Sequence, residues 1–463
     1  MVCIFCGCAS YNPEPLNPSE VARQFESRSL TNPGLCAYLD ANAAAQPFVC
    51  PPPEWNLERL TLAGFYFSPA MAVAAAQVRS ADAAIVSAGA RPNPVVGLGP
   101  QYDVRSTPNF TPWALGFFSL DLPIETAGKR GYRIAQAERL ADAARLAAGE
   151  TAWTVRSRIR AAMLQFLLDT RGSDLAAQEQ DALALTAALV AARVRAGEAS
   201  QPELDLAQSD LQNARLKAAE AEARVPADRN ALAAAIGLPV DALDGVKLVW
   251  TTLQSPPDER SLAPETVQRL ALLNRIDLRR ELAQYAAANE GLKLEIAKQY
   301  PDLRLAGGYS WEGGENIFEL GPSVELPIFN QNQGPIAVAE ARRKEVAAQF
   351  LAMQAGIIAE ARTALVNYRG ALAALEAARS AAKYQAGRYE QASRATAVGE
   401  SDAIALAAIR LQDLAAQQTL LRAVSVAQTA LGALENSMQR PLDHGDVGSF
   451  TFPPPADNEV KSE

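Results

Sequence analysis

Leu120-Asp121-Leu122-Pro123-Ile124 returns 204 residues later as Val324-Glu325-Leu326-Pro327-Ile328. In both copies apolar residues alternate with others up to a proline, and a period of two with one apolar face is the mark of a strand. Upstream, Arg91-Pro92-Asn93-Pro94-Val95-Val96-Gly97-Leu98 is echoed by Gln299-Tyr300-Pro301-Asp302-Leu303-Arg304-Leu305, with Pro94 and Pro301 207 residues apart. Downstream, Gly197-Glu198 is echoed by Gly399-Glu400 at an offset of 202. Three landmarks in one order at nearly one offset mark an internal duplication.

Each half follows one plan. An alanine-rich amphipathic helix, about 69–90 and about 275–299, precedes two short alternating segments. A very long helix, a glycine break and another helix follow. No proline occurs from Ile124 to Gln201 or from Ile336 to Arg440, and Ala, Leu, Glu, Gln and Arg dominate both stretches. The first long helix is expected at about 129–196, roughly 100 Å at 1.5 Å per residue. Leu420, Val424, Ala427, Leu431 and Leu434 keep the 4-3-4-3 spacing of a coiled-coil seam. Helices alone fit a soluble, spectrin-like rod equally well.

The strands separate these readings. They are expected at about 94–104, 113–123, 302–311 and 317–327, with Pro123 and Pro327 closing the second of each pair. Each is about ten residues long with one apolar face, the pattern of a transmembrane barrel strand. Ordinary hairpins packed on helices share it. Trp113 to Leu122 is the weakest case, because its alternation slips at Phe117-Phe118. Four strands cannot close a barrel, for which about eight is the usual minimum. An open edge in lipid costs several kcal/mol for each unsatisfied backbone group. Closure therefore calls for several copies in cyclic symmetry; two copies would supply eight strands with an interior filled by side chains, and three would supply twelve, which can be hollow.

Composition narrows the chemistry. The 463 residues carry 43 basic and 52 acidic side chains, a net charge of −9, which argues against a nucleic-acid partner. The single histidine, His444, leaves little room for imidazole-based catalysis or metal binding. No catalytic constellation, metal site or cofactor is expected. No stretch supplies the roughly 20 apolar residues of a membrane-spanning helix.

All five cysteines, Cys3, Cys6, Cys8, Cys36 and Cys50, lie in the first fifty residues. Cys3 and Cys6 form a CxxC, but a second metal-binding pair is missing. Phe5-Cys6-Gly7-Cys8-Ala9-Ser10 resembles the end of a bacterial lipoprotein signal, in which a small residue precedes an acylated cysteine. Residues 1–8 thus read as a truncated signal with lipidation at Cys8. In an oxidising periplasm Cys36 and Cys50 could pair; the alternative is two free thiols. Residues 9–68 are expected to wrap the body, 69–236 and 275–440 to form the two repeats, 237–274 to link them and 441–463 to form a polar tail.

Taken in order, Asn93-Pro94, Leu122-Pro123-Ile124 with Gly128-Lys129-Arg130, Gly197-Glu198-Ala199-Ser200 with Leu204, Ala207 and Gln208, and Tyr300-Pro301-Asp302-Leu303 resemble the TolC-type outer-membrane efflux protein family over about 55–440. Gly128-Lys129-Arg130 and Cys8-Ala9-Ser10-Tyr11 are similar to its heavy-metal, CzcC-like lipoprotein branch. The resemblance implies a mainly α chain with a small all-β membrane part. Its four strands would complete a 12-stranded β-barrel in a homotrimer, on a long α-helical coiled-coil barrel. The trimer would be a lipid-anchored exit duct in the outer membrane, serving a periplasmic adaptor and an inner-membrane pump of the RND type. The adaptor is expected at the periplasmic tips, formed by Gly197, Glu198, Ser200, Gly399, Glu400 and Asp402. Glu203 and Asp402 are candidate carboxylates of the inner aperture, with helix capping by Ser200 and Asp402 as the plainer use of those turns. A non-pore coiled-coil scaffold of the cell envelope is the alternative function.

Overall fold

The computed structural model describes residues 11–42, 49–102, 113–258, 262–312, 315–398 and 402–442. The first repeat contains α4 (Pro69–Ala88), β1 (Val95–Tyr102), β2 (Trp113–Ile124), α5 (Lys129–Arg195) and α6 (Gln201–Ile236). The second has the same order: α8 (Ile276–Ala297), β3 (Leu303–Glu312), β4 (Glu315–Val324), α9 (Gln333–Ala397) and α10 (Ala403–Met438). Three helices precede them, α1 (Pro18–Glu26), α2 (Pro33–Ala41) and α3 (Leu57–Phe67), and α7 (Pro264–Asn274) lies between the repeats.

The helices α5 and α9, of 67 and 65 residues, are each about 100 Å long. They begin at corresponding left-handed residues, Gly128 (φ +72°) and Asn332 (φ +63°), which turn the chain out of the sheet. α5 packs along α6 and α9 along α10, while α10 crosses to α5 and ties the repeats together. Nearer the sheet, α4 and α8 lie against α5, and α8 also against α9. Val424, Ala427, Leu431 and Leu434 of the heptad seam are buried, as are Val155, Ile159 and Met163 of α5. Buried alanines, Ala141, Ala148, Ala361 and Ala427, let backbones approach closely where larger side chains would hold them apart.

Within the segment expected to wrap the body, α3 goes inside. Leu60, Ala63, Phe65 and Phe67 join Val155, Ile159, Leu232 and Ile236 in the largest apolar cluster. Trp55 is buried there too, and its backbone pairs with the inter-repeat segment through the Trp55 N–H to Lys247 carbonyl bond of 2.9 Å.

The strands form one antiparallel sheet in the order β1-β2-β3-β4, so β2 and β3 join the repeats and β1 and β4 are its two edges. Two expected boundaries change. Pro123 does not close β2 but pairs with Arg304 inside it, and β4 ends at Val324, three residues before Pro327. The slip of alternation in the first hairpin has a structural cause. Gly99 pairs with Phe117 and Pro100 with Leu115, leaving Gly116 as a bulge. The bulge changes which residues of β2 share a face, so the alternation shifts there while the pairing continues.

Candidate functional site: an open sheet and a helical tip

Residues paired across neighbouring strands share a face, and the register sorts this sheet into two unlike faces. Val96–Leu120–Gly307–Leu320 forms one row, Leu98–Phe118–Tyr309–Phe318 another, Leu122–Leu305–Pro322 a third and Ile124–Leu303–Val324 a fourth. The opposite face carries Ser119, Asp121, Arg304, Ser310, Glu319 and Ser323 among glycines. Arg304 and Asp121 are paired there at 3.2 Å. Among the described residues no helix covers the apolar face: Phe318 and Leu320 are each 79% exposed, and Val96, Leu98, Phe118, Leu120, Leu122, Leu303 and Leu305 are exposed as well. Such a continuous apolar patch marks a membrane or protein contact. Tyr309 packs on Phe318 with ring centroids 5.3 Å apart, and its hydroxyl donates to Asn316 at 2.8 Å. Tyr102 and Trp311 lie at the same hairpin ends of the sheet, where a membrane strand meets the polar interface.

The Gly128-Lys129-Arg130 turn is a latch between repeats. The buried Lys129 ammonium reaches Asp302 at the start of β3 at 2.7 Å, and the Thr126 N–H donates to the same oxygen at 2.9 Å. Burial opposes ionisation of Asp302, but these two donors outweigh it and hold its carboxyl below the usual range. Arg130 donates to the Gly89 carbonyl at 2.7 Å and Arg133 to the Ala88 carbonyl at 3.2 Å, satisfying the free end of α4. Asn332, the counterpart of Gly128, bonds instead to the Glu295 carbonyl (2.8 Å) and carboxylate (2.9 Å).

At the far end, Gly197 is left-handed (φ +77°), and no atom lies within 4 Å of where a Cβ would stand. The Glu198 N–H returns to the Arg193 carbonyl at 2.8 Å, a Schellman-type stop. Ser200 and Glu203 form a capping box: the Glu203 carboxylate accepts from the Ser200 hydroxyl (2.8 Å) and N–H (3.3 Å). These two bonds keep Glu203 below the usual carboxylate range. Asp402 stands at the N-cap of α10, but its side chain makes no cap hydrogen bond. Gly399 and Glu400 lie outside the described residues, as does Cys8. Cys36 and Cys50 are disulfide-bonded, with Cα atoms 5.7 Å apart.

Two polar clusters escaped the sequence reading. Arg410 of α10 pairs with the buried Asp413 at 2.7 Å, stacks over Tyr389 of α9 at 4.9 Å and donates to Gln178 of α5 at 2.7 Å. Higher up, Glu435 of α10 receives both Arg156 nitrogens at 3.2 Å and the Arg160 Nε at 3.4 Å. Arg160 also donates to the Gln428 carbonyl (2.9 Å) and side-chain oxygen (3.0 Å). Gln428 in turn donates to the carbonyls of Thr252 and Leu253. Gly432 makes room, since a Cβ there would stand 2.5 Å from an Arg160 nitrogen. The one clue in sequence was charge inside an otherwise apolar heptad stretch. No described helix alone is long and apolar enough to cross a bilayer. Among the described residues, no group of three His, Cys, Asp or Glu side chains could hold a metal.

Known proteins are similar to this chain in sequence or in fold. The cobalt-zinc-cadmium resistance protein CzcC of Cupriavidus metallidurans is 28% identical over 290 residues, 61% of this chain and 65% of that protein. The outer membrane protein VceC of Vibrio cholerae superposes with a TM-score of 0.65 at 17% identity, over 83% of this chain and 96% of that one. A crystal structure of CusC, described in terms of folding and transmembrane channel formation, gives 0.66 at 16% identity, covering 86% and 95%. Both repeats match the outer membrane efflux protein family, over residues 67–238 and 267–438, and the chain belongs to that family.

Proposed function

We propose that this chain is the outer-membrane exit duct of a tripartite efflux system and works as a homotrimer. The observation that carries the reading is the uncovered four-stranded sheet, apolar on one face and polar on the other, above helices about 100 Å long. Three copies supply twelve strands, enough for a hollow barrel with the Asp121, Arg304 and Glu319 face inside and the Leu-rich face in lipid. A soluble scaffold would leave that apolar face in water, which disfavours the non-pore alternative. The helices would continue the tube across the periplasm. Their tips at Gly197, Glu198, Ser200, Gly399, Glu400 and Asp402 would meet an adaptor, which hands on substrate from an RND-type pump in the inner membrane. Glu203 and Asp402 are the proposed carboxylates of the aperture, and Cys8 the proposed acylation site. Cargo is proposed to be divalent metal cations, on the likeness to CzcC. Conduction is passive and calls for no catalytic group.

The test is fractionation followed by conductance. The protein should need detergent for extraction, run as a trimer and carry ions across planar bilayers. Recovery in the soluble fraction without detergent would remove the reading. Unchanged cobalt, zinc and cadmium tolerance in a deletion strain would remove the metal assignment, and a mature N-terminus without acyl mass would remove the lipid.

A further inference from the structure

The repeat fixes how neighbouring copies pair, residue by residue. Shifting β1 by 207 residues and β2 by 204, the offsets of the proline landmarks, turns the pairs Val96–Leu120, Gly97–Ser119 and Leu98–Phe118 into Leu303–Val324, Arg304–Ser323 and Leu305–Pro322. All three are pairs of the second hairpin. The two offsets therefore carry strand register from one repeat to the other without error below the Gly116 bulge.

The same shifts apply to the seam between repeats. Within one chain, β2 meets β3 through Leu122–Leu305 and Ile124–Leu303. Moving β2 forward by 204 and β3 back by 207 gives Leu326 opposite Leu98, and Ile328 opposite Val96. These pairs cannot form inside one chain, because β1 and β4 are opposite edges of the sheet. We propose that they form between copies: β4 is extended past Val324 to Ile328 and pairs with β1 of the partner subunit in this register.

Three features support it. β2 runs to Ile124 because β3 is present to pair with it, whereas the corresponding Leu326 and Ile328 fall outside β4 and are 67% and 69% exposed. The derived pairs also keep face with face: Leu326 and Ile328 continue the apolar row of Leu320, Pro322 and Val324, and Val96 and Leu98 belong to the apolar face of β1. A register odd by one residue would set apolar against polar throughout. Finally, Pro327 would stand opposite Gly97 of the partner subunit, and its counterpart Pro123 already occupies the matching place, opposite Arg304.

The inference rests on the cyclic assembly proposed above, and cysteine cross-linking of the full chain in outer-membrane vesicles tests it. Leu326→Cys with Leu98→Cys, and separately Ile328→Cys with Val96→Cys, should give oxidant-dependent, reducible dimers and trimers on denaturing gels. The corresponding single variants should not. Leu326→Cys with Tyr102→Cys is displaced by four residues, about 13 Å along the strand, beyond the roughly 7 Å a disulfide can bridge, and should stay monomeric. Cross-linking of the displaced pair, or of neither in-register pair in a sample that runs as a trimer before denaturation, would overturn the register alone. Absence of any oligomer from the unmodified protein would overturn the register and the assembly together.

Discussion

Removing the carboxylate of Glu435 should weaken the joint between the two repeats more than any other single change at the α5–α10 crossing. The Glu435 side chain is 2% exposed, and those of Arg156 and Arg160 are 7% exposed. Glu435→Ala leaves two guanidinium groups in the interior without their counter-ion. Breaking such a buried pair costs about 3–5 kcal/mol. Arg160 keeps its two bonds to Gln428 and lies 5.3 Å over Trp250, while Arg156 keeps its place 4.9 Å over Trp153. The loss therefore belongs at the low end, about 3 kcal/mol. For a contact absent from the unfolding transition state, that loss speeds unfolding about 150-fold. The assay is the decay of the helical circular-dichroism signal of purified protein in detergent at one fixed temperature, since large envelope proteins are better compared by rate than by midpoint. Replacing Arg156, Arg160 and Glu435 together by Met should restore most of the lifetime, because no uncompensated charge then remains. A Glu435→Ala protein decaying within about threefold of the parent, or a triple variant no better than the single one, would refute the reasoning.

Other positions give equally definite expectations. At Gly237 (φ +93°) a Cβ would stand 2.7 Å from the Phe67 carbonyl oxygen, so Gly237→Ala should cost about 2–4 kcal/mol, read as faster proteolysis between the repeats. Burial first, and then the hydrogen bond and like charge of Asp169, push Asp228 up to about 6. The folded chain thus holds a proton that the unfolded chain releases above about pH 4. Stability from this group is present below pH 4 and is lost as pH rises through 6, so Asp228→Asn should raise the melting temperature at pH 7.5 and flatten its dependence between pH 4 and 6. Gly197→Val meets no neighbour and carries only its positive-φ strain, about 1–2 kcal/mol. Together with Gly399→Val it should abolish export while trimer and membrane insertion persist; trimer yield falling in step with export would reduce these turns to helix stops.

Periodicity made the long helices and the strand pairs legible. Proline is absent from Ile124 to Gln201, and the fold places α5 at Lys129–Arg195. Local rules served less well at strand ends. Pro123 and Pro327 look alike in sequence, yet one lies within a strand and the other beyond it. The difference is whether a neighbouring strand is there to pair with, which no local pattern records. The phase slip at Phe117-Phe118 was visible, but the bulge behind it needed the register. Arg156, Arg160 and Glu435 were not legible as a unit: they lie on α5 and α10, far apart in sequence, and only the crossing of those helices brings them together. Ser200 was legible as a cap from its place after the glycine, but Glu203, expected at the aperture, was not legible as its capping-box partner.

The Lys129–Asp302 latch bears on how such a molecule is delivered. Shifted by the repeat offsets, its two ends become Gln333 and Val95, so the corresponding place on the outer flank of each copy holds no charge. A newly exported chain can thus close its internal seam in water, where the ion pair needs no neighbour and no lipid. Its outward edges offer backbone groups and one apolar face, with Glu319 and Ser323 on the other face, and the apolar face gains most once a bilayer surrounds it. In the proposed trimer, folding of each copy and closure of the ring would thus be separated by chemistry: the ion pair favours the first seam, whereas the supply of lipid decides the second. Copies in transit could remain single until they reach their destination, because what would join them has little value on the way.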